Sequence, residues 1–425
     1  MATVKDKRSS QKKNVEKESV YPRGGSAEAS WQGKIERLSW GGLGVGREKD
    51  GRIILLAAPL ALFPGEEVAA TLHWKARHGE GFVTRWITKD RRRAEAGCPV
   101  AATCGGCDLR EAGESMGELK RLMVEDLFSR QLGNLTQWRW LPAPASARRH
   151  RIQLHWDGKE LGFHQRKSHR LVSVNRCPAA VDPLSEAIPR MREALEARIL
   201  PTRSQRWELA TGTPAGTVVA VSEDGRTWIL EPDGWKAWEG GILHEHGSLR
   251  LHHSPGGFYQ VCPSWAVEAF GELFRNWNLE GQTLYDLYGG VGFFSALLGR
   301  HFQHRVLVEF DEVAVGWAKR NLEGMELPSE CTVFDAAAWV PEQLGAAGDL
   351  ILLDPPRTGL PPELCERLQS AQASRLVLVG CDGAAFCRDI KRLAPAWRLE
   401  SLAAVDLFPF THHAECVALL EPVRP

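Results

Sequence analysis

Two residues that could do chemistry together stand in the last fifty positions. Cys381 ends the apolar run of LVLVGCDGAAFCRD (Leu376 to Asp389), and Glu415 opens another in FPFTHHAECVALLEP. A thiolate is a nucleophile, and a carboxylate can remove a proton from the adduct it forms. Two further carboxylates end apolar runs of strand length: Glu309 in RVLVEF and Asp354 in DLILLDPPRTG. A second group is made of sulfur alone. CPVAATCGGC sets Cys98, Cys104 and Cys107 at C-x5-C-x2-C spacing, and RCP adds Cys177. Four thiolates hold either zinc or an iron–sulfur cluster, and spacing alone does not choose.

These residues need elements to position them. From about Ser254 onward, TLYDLY, RVLVEF, CTVFD, DLILLD and RLVLVG alternate with helical stretches such as EVAVGWAKRNLEG. That alternation predicts an α/β domain, a parallel sheet with helices on both faces. Polar groups at the carboxyl ends of such strands meet in the crevice where strand order reverses. TLYDLYGGVGFFSALLGR supplies a strand, a glycine turn and a helix start. Gly289, Gly290 and Gly292 let the backbone approach a ligand, and Glu309, twenty residues after Gly289, can accept hydrogen bonds from ribose hydroxyls. YGGVGFF lacks the GxGxxG of dehydrogenases and suits S-adenosylmethionine better. Asp354 and Cys381, after the fourth and fifth strands, should open onto the same crevice.

The remainder divides by texture. Residues 1–29 form a basic tail without an apolar signal region; a disordered tail and an RNA-contacting one both fit. Residues 30–90 alternate short apolar runs with glycine turns, which predicts a small β-barrel of the OB type. Residues 91–250 are mixed α+β. Within them Arg148 to Val174 alternates apolar and basic residues around Asp157-Gly158, the pattern of a hairpin with one buried and one cationic face. Arg149, Arg151, Arg166, Lys167 and Arg170, beside Trp156 and Phe163, are expected to meet a phosphate backbone. Charge is balanced, 53 basic against 53 acidic residues, so any nucleic-acid contact must come from such local clustering. No apolar run of about 18 residues predicts a membrane span. Ten cysteines without an export signal are expected to stay reduced, in a cytoplasmic protein.

A thiol and a carboxylate at one crevice suit methylation of uracil at carbon 5. Thiolate addition at carbon 6 makes carbon 5 enolate-like, so that it attacks a sulfonium methyl; a base then removes the carbon 5 proton and the thiol leaves. FYQVCPSWAVEAF, DLYGGVGFF, VLVEFD, LDPPRTG, VGCDGAAFCRD and FPFTHHAECV, in that order, resemble the RNA 5-methyluridine methyltransferases, and residues 30–90 look like that family's TRAM domain.

The resemblance implies a Rossmann-like class I methyltransferase domain over residues 251–425. It implies Cys381 as nucleophile and Glu415 as general base. Gln260, Tyr288, Phe293, Glu309, Asp335 and Asp354 would line the S-adenosylmethionine pocket. Cys98, Cys104, Cys107 and Cys177 match the [4Fe-4S] ligands of the family's 23S rRNA branch, with zinc as the alternative. The partner would be RNA, rRNA ahead of tRNA, and the chain a monomer with no membrane partner. The alternatives are a tRNA enzyme and an iron–sulfur RNA-binding homologue with impaired catalysis. Cytosine methylation is disfavoured by the carboxylate base.

Three positions depart from the family pattern. Cys262 replaces Asn in QVN, Phe293 stands where Asn or Thr is common, and Gly380-Cys381-Asp382-Gly383 replaces SCNP or SCDP. Glycine there is expected to loosen the nucleophile loop. Cys262, Cys331, Cys365, Cys387 and Cys416 read as core residues, and His412 and His413 as orienting, backbone-bonded histidines.

Overall fold

The computed structural model describes residues 29–133, 137–166, 168–339 and 345–423. The basic tail up to residue 28 and Lys167 lie outside the described residues.

The first sheet contains β1 (Ala29–Lys34), β2 (Arg37–Leu38), β3 (Gly44–Arg47), β4 (Ile53–Ala57), β5 (Glu67–Trp74) and β6 (Gly79–Thr88) in the order β1-β5-β6-β4-β3-β2. Only Ile35 and Glu36 separate β1 from β2. One bent strand therefore pairs with β5 at its start and with β3 at its end. The two ends of the sheet are thus joined, which removes its free edges. Trp31, Ile54, Leu56, Val68, Ala70, Leu72 and Val83 alternate into its interior.

The expected central region 91–250 is divided between two bodies. Helix α1 (Met116–Leu132) and strand β7 (Arg139–Leu141) belong with the C-terminal sheet: β7 pairs in parallel with a strand near residue 404. The rest forms an antiparallel seven-stranded sheet, β10-β9-β8-β11-β12-β13-β14. Its strands are β8 (Arg151–Trp156), β9 (Leu161–His164), β10 (Leu171–Ser173), β11 (Arg206–Thr211), β12 (Val218–Ser222), β13 (Thr227–Glu231) and β14 (Gly234–Ala237). Helix α2 (Asp182–Glu196) lays Leu184, Ile188, Met191 and Leu195 against it, facing Trp207 and Leu209. The predicted hairpin is present as β8 and β9, and Asp157 Oδ1 accepts from the Lys159 and Glu160 N–H groups in its turn. A two-stranded hairpin, β15 (Ile242–His246) and β16 (Leu249–His253), leads into the last body.

That body is an eight-stranded sheet ordered β19-β18-β17-β20-β21-β23-β22-β7. Along the chain come α3 (Pro263–Asn276), β17 (Gly281–Leu287), α4 (Phe293–Leu298), β18 (Phe302–Glu309), α5 (Glu312–Glu323), β19 (Ser329–Val333) and β20 (Leu350–Leu353). α6 (Pro362–Leu368), β21 (Arg375–Gly380), α7 (Gly383–Leu393), β22 (Trp397–Val405) and β23 (Glu415–Pro422) complete it. Strands β17 to β21 are mutually parallel, while β23 runs antiparallel to both neighbours. α3, α4 and α5 cover one face and α1, α6 and α7 the other, so β20 and β21 read as continuous apolar runs buried on both sides. Strand order reverses between β17 and β20, and the crevice lies at their carboxyl ends.

Candidate active site

β17 ends in a turn that only a particular backbone can make. Tyr288, Gly290 and Gly292 all have positive φ, and a Cβ on Gly289 would fall 2.5 Å from Leu307 Cγ. Asp286, wholly buried, accepts from the Ser295 N–H at 2.9 Å and hydroxyl at 2.6 Å, which ties the strand to α4. Burial lifts Asp286 to about 6. Glu309, at the tip of β18, accepts from Gly290 N–H at 3.0 Å through one oxygen and from Phe310 and Asp311 N–H through the other. Glycine turn and carboxylate are therefore held as one unit. Asp335 follows β19 and accepts from Ala337 N–H. Two exposed rings lie beside these groups: Phe310, 77% exposed, and Phe334, whose N–H donates to Glu309 O at 2.9 Å.

Phe293 sits differently from the other expected cofactor residues. It is buried, with its ring edge-on to Tyr259, Phe270 and Phe294, because it is the first residue of α4 and turns into the core beneath the sheet. Gln260 is also buried, and follows Phe258, which is 67% exposed.

The pairing of β21 with β23 brings the thiol and the carboxylate together. Gly380 is opposite Cys416 in the antiparallel register, so the next step along each strand sets Cys381 opposite Glu415. Asp354 ends the neighbouring strand β20. Arg357, three residues on, is close enough to the Cys381 thiol to favour its thiolate form and is the cation among three acids. Burial raises Cys381 to about 11; Glu415 and Asp354 add to the rise and Arg357 opposes it. Burial raises Asp354 to about 7, with Asp286 adding to it. Glu415 is pushed well above the carboxylate range by burial and then by Asp354, and its Oε2 has no hydrogen-bond partner among the described residues. Adjacent carboxyl groups in a low-dielectric crevice cannot all ionise, which is why both are shifted upward.

In the nucleophile loop, Gly383 stands where there is no room for a side chain. A Cβ on Gly383 would lie 2.3 Å from Leu127 Cδ2 and 3.1 Å from the Trp40 ring, so the glycine is where α7 packs closely on α1. Asp382 caps α7, its side chain accepting from Ala385 N–H at 2.8 Å.

Cys98, Cys104, Cys107 and Cys177 line one small cavity together with Arg110, Arg149 and Phe163. Gly106 N–H points at Cys104 Sγ, 3.4 Å away. Among the described residues no three His, Cys, Asp or Glu side chains are set to share a single metal ion. Three of the arginines expected to face phosphate are used inside the protein instead. Arg149 donates to Gly106 O and Pro409 O, Arg151 pairs with Glu208, and Arg166 donates to Cys107 O. Of these three only Arg151 lies in a strand, β8, while Arg149 precedes it and Arg166 follows β9; Arg170 is exposed.

The family model for tRNA (uracil-5-)-methyltransferases matches residues 346–423. A 23S rRNA (uracil(1939)-C(5))-methyltransferase, RlmD, of Chromohalobacter salexigens is 30% identical over 92% of this chain and 89% of its own. The chain belongs to the RNA (uracil-5-)-methyltransferase family. It is accordingly an S-adenosylmethionine-dependent RNA methyltransferase. An uncharacterized RNA methyltransferase of Gloeobacter violaceus is 29% identical over 91% of the chain. In fold, the methyltransferase is similar to the tRNA (uracil-54, C5)-methyltransferase of Pyrococcus abyssi in complex with S-adenosyl-L-homocysteine. That likeness has a TM-score of 0.70 at 23% identity and covers 92% of this chain and all of that one. No helix among the described residues is long and apolar enough to cross a membrane.

Sequence reasoning missed two residues around this candidate site, Arg357 and Asp108. Arg357 was in plain view in LDPPRTG, but its aim at Cys381 depends on the turn that Pro355 and Pro356 set. His412 is held by a carboxylate as well as through its backbone: Asp108 Oδ1 accepts its N–H at 2.9 Å and Oδ2 bonds its ring Nδ1. No sequence signal joins residues so far apart. Cys262, Cys365, Cys387 and Cys416 are buried, and Cys331 is half-buried.

Proposed function

We propose that the enzyme methylates carbon 5 of a uridine in 23S rRNA through a covalent Cys381–uracil adduct. The observation that carries this is the cross-strand register that sets Cys381 opposite Glu415 at the crevice, with Arg357 beside the thiol. S-adenosylmethionine supplies an electrophilic methyl group when bound. The glycine turn and Glu309 would hold its ribose, with Phe310, Phe334 and Asp335 around the adenine. Cys381 Sγ adds to carbon 6, and the electron pair released to carbon 5 would take the methyl group, whose bond to the donor's sulfonium sulfur breaks with its pair to leave a neutral thioether. Glu415 then removes the carbon 5 proton, the carbon 5–carbon 6 double bond re-forms, and the carbon 6–sulfur bond breaks to return the thiolate. Raised by burial, Glu415 is a stronger base than a surface carboxylate.

RlmD of C. salexigens, a 23S rRNA enzyme by name, matches nearly the whole chain; this favours rRNA over the tRNA reading. The joined six-strand sheet has the bent first strand of an OB-type barrel, which supports reading residues 30–90 as an RNA-binding TRAM domain. Four thiols lining one cavity are a donor set for a [4Fe-4S] cluster or for zinc, and the resemblance to the family's 23S rRNA branch puts the cluster first. Such a cluster would tie the Cys98–Cys107 loop to Cys177.

The test uses purified protein, unmodified rRNA and tRNA, and methyl-labelled S-adenosylmethionine, followed by digestion to nucleosides. Labelled 5-methyluridine in 23S rRNA alone is expected; none in any RNA sinks the reading, and label in tRNA alone transfers it to that substrate. Cys381→Ala should abolish turnover and keep cofactor binding. Glu415→Gln should trap a methylated RNA–protein adduct stable to denaturant. Iron and sulfide analysis after anaerobic purification tests the cluster, and stoichiometric zinc without iron would reverse it.

A further inference from the structure

The loop before Glu415, residues 406–414, is built almost wholly on the N-terminal half of the chain. Phe410 O accepts from Asp108 N–H and Leu109 N–H, both at 3.0 Å, and Phe410 N–H points at Met116 Sδ, 3.1 Å away. The Arg110 guanidinium lies over the Phe410 ring, 4.1 Å from its centre. Arg149 bridges Gly106 O to Pro409 O. Buried Lys120 pairs with Asp406 and donates to Phe408 O. Phe410 has a positive φ of 66°, a conformation that a bulky residue keeps only when its surroundings impose it. The tightest of these contacts is Asp108, whose two oxygens take the His412 backbone N–H and ring Nδ1. His412 is three residues ahead of Glu415, and Asp108 directly follows Cys107.

Cys381 has separate support. It stands between β21 and α7 and is fixed by the Asp382 cap and the packing of Gly383 on Leu127 and Trp40. None of its named supports passes through Asp108.

We propose that Asp108 is a positioning residue for Glu415: by clamping His412 it sets the base against the carbon 5 proton and couples the four-cysteine loop to product release. This rests on the reading of Glu415 as the base. Without the clamp, carbon 6–sulfur bond formation and methyl transfer proceed on Cys381, while abstraction of the carbon 5 proton slows. The methylated adduct must then accumulate.

The experiment compares wild type, Asp108→Ala, Asp108→Asn, His412→Ala and Glu415→Gln, as full chains purified anaerobically. The substrate is RNA from cells lacking the gene, with methyl-labelled S-adenosylmethionine. Asp108→Ala should lose turnover by about tenfold or more with an unchanged KM for S-adenosylmethionine. It should also show labelled RNA–protein adduct on a denaturing gel during turnover, where wild type shows little. Asp108→Asn keeps an acceptor for the backbone N–H and should recover part of the rate. His412→Ala keeps that backbone bond and should fall between them, and it carries the test if Asp108→Ala does not fold. Normal turnover in both variants overturns the proposal, as does a loss in which adduct formation falls with turnover. Absence of adduct in Glu415→Gln instead refutes the assignment of the base, independently of Asp108.

Discussion

At the scale of single residues, the site is one guanidinium among a thiol and carboxyl groups that are all pushed towards their protonated forms. In the proposed mechanism Glu415 works only when deprotonated, and both Glu415 and its neighbour Asp354, at about 7, are raised. Cys381, at about 11, also gains its active form as pH rises. Both signs agree, so kcat/KM should climb from pH 6 to 9 without a plateau at neutrality. A rate independent of pH across that window would contradict the assignments. Arg357→Gln removes the cation that, among the described residues beside Cys381, favours the thiolate. We expect a loss of about ten- to a hundredfold at pH 7.5, partly regained at pH 9, where hydroxide does more of the work. A uniform loss at every pH would place Arg357 elsewhere in the reaction. The sequence makes Cys381, Glu415, Glu309 and Asp354 legible because each ends or begins an apolar run of strand length. It hides Arg357 and Asp108, whose roles are set by a turn and by a contact between distant segments.

At the scale of elements, strand and helix alternation was enough to anticipate the parallel sheet and its crevice, since period and apolar content follow directly from burial on both faces. What sequence could not weigh was the space around Gly383. Conformational freedom suggested a loose loop, whereas contact with Leu127 and Trp40 makes the same glycine a close-packing residue. Gly383→Ala should therefore destabilise the protein by about 1–3 kcal/mol, read as a fall in melting temperature. An unchanged or raised Tm would show that Leu127 yields freely. Lys120→Met leaves Asp406 buried without its cation and should cost about 3–5 kcal/mol. Adding Asp406→Leu should return much of that, and a double variant no better than the single would argue against the pair. The basic hairpin carries the same lesson in reverse: its alternation was read correctly as β8 and β9, but Arg151 on β8 pairs with Glu208 and Arg166, just beyond β9, donates to a backbone carbonyl.

At the scale of the molecule, the catalytic sheet is not complete within residues 251–425. Its last strand, β7, and the helix α1 that covers α7 come from residues 116–141. No local pattern could reveal this, because a three-residue strand has no periodicity of its own. A fragment of residues 251–425 would expose the edge of β22 and the apolar face of α7, and should aggregate or fail to melt cooperatively. A monomeric fragment with a sharp transition would refute that. The same arrangement sets a schedule for biosynthesis. Lys120 and Asp406 are 286 residues apart, so at about 5–20 residues per second α1 leaves the ribosome roughly fifteen seconds to a minute before its buried ion-pair partner exists. During that interval Leu119 and Met123 of α1 can already pack on the first sheet, while Val124, Leu127, Phe128 and the strand β7 must wait uncovered. The nascent chain, rather than the finished enzyme, is where this fold most needs a chaperone.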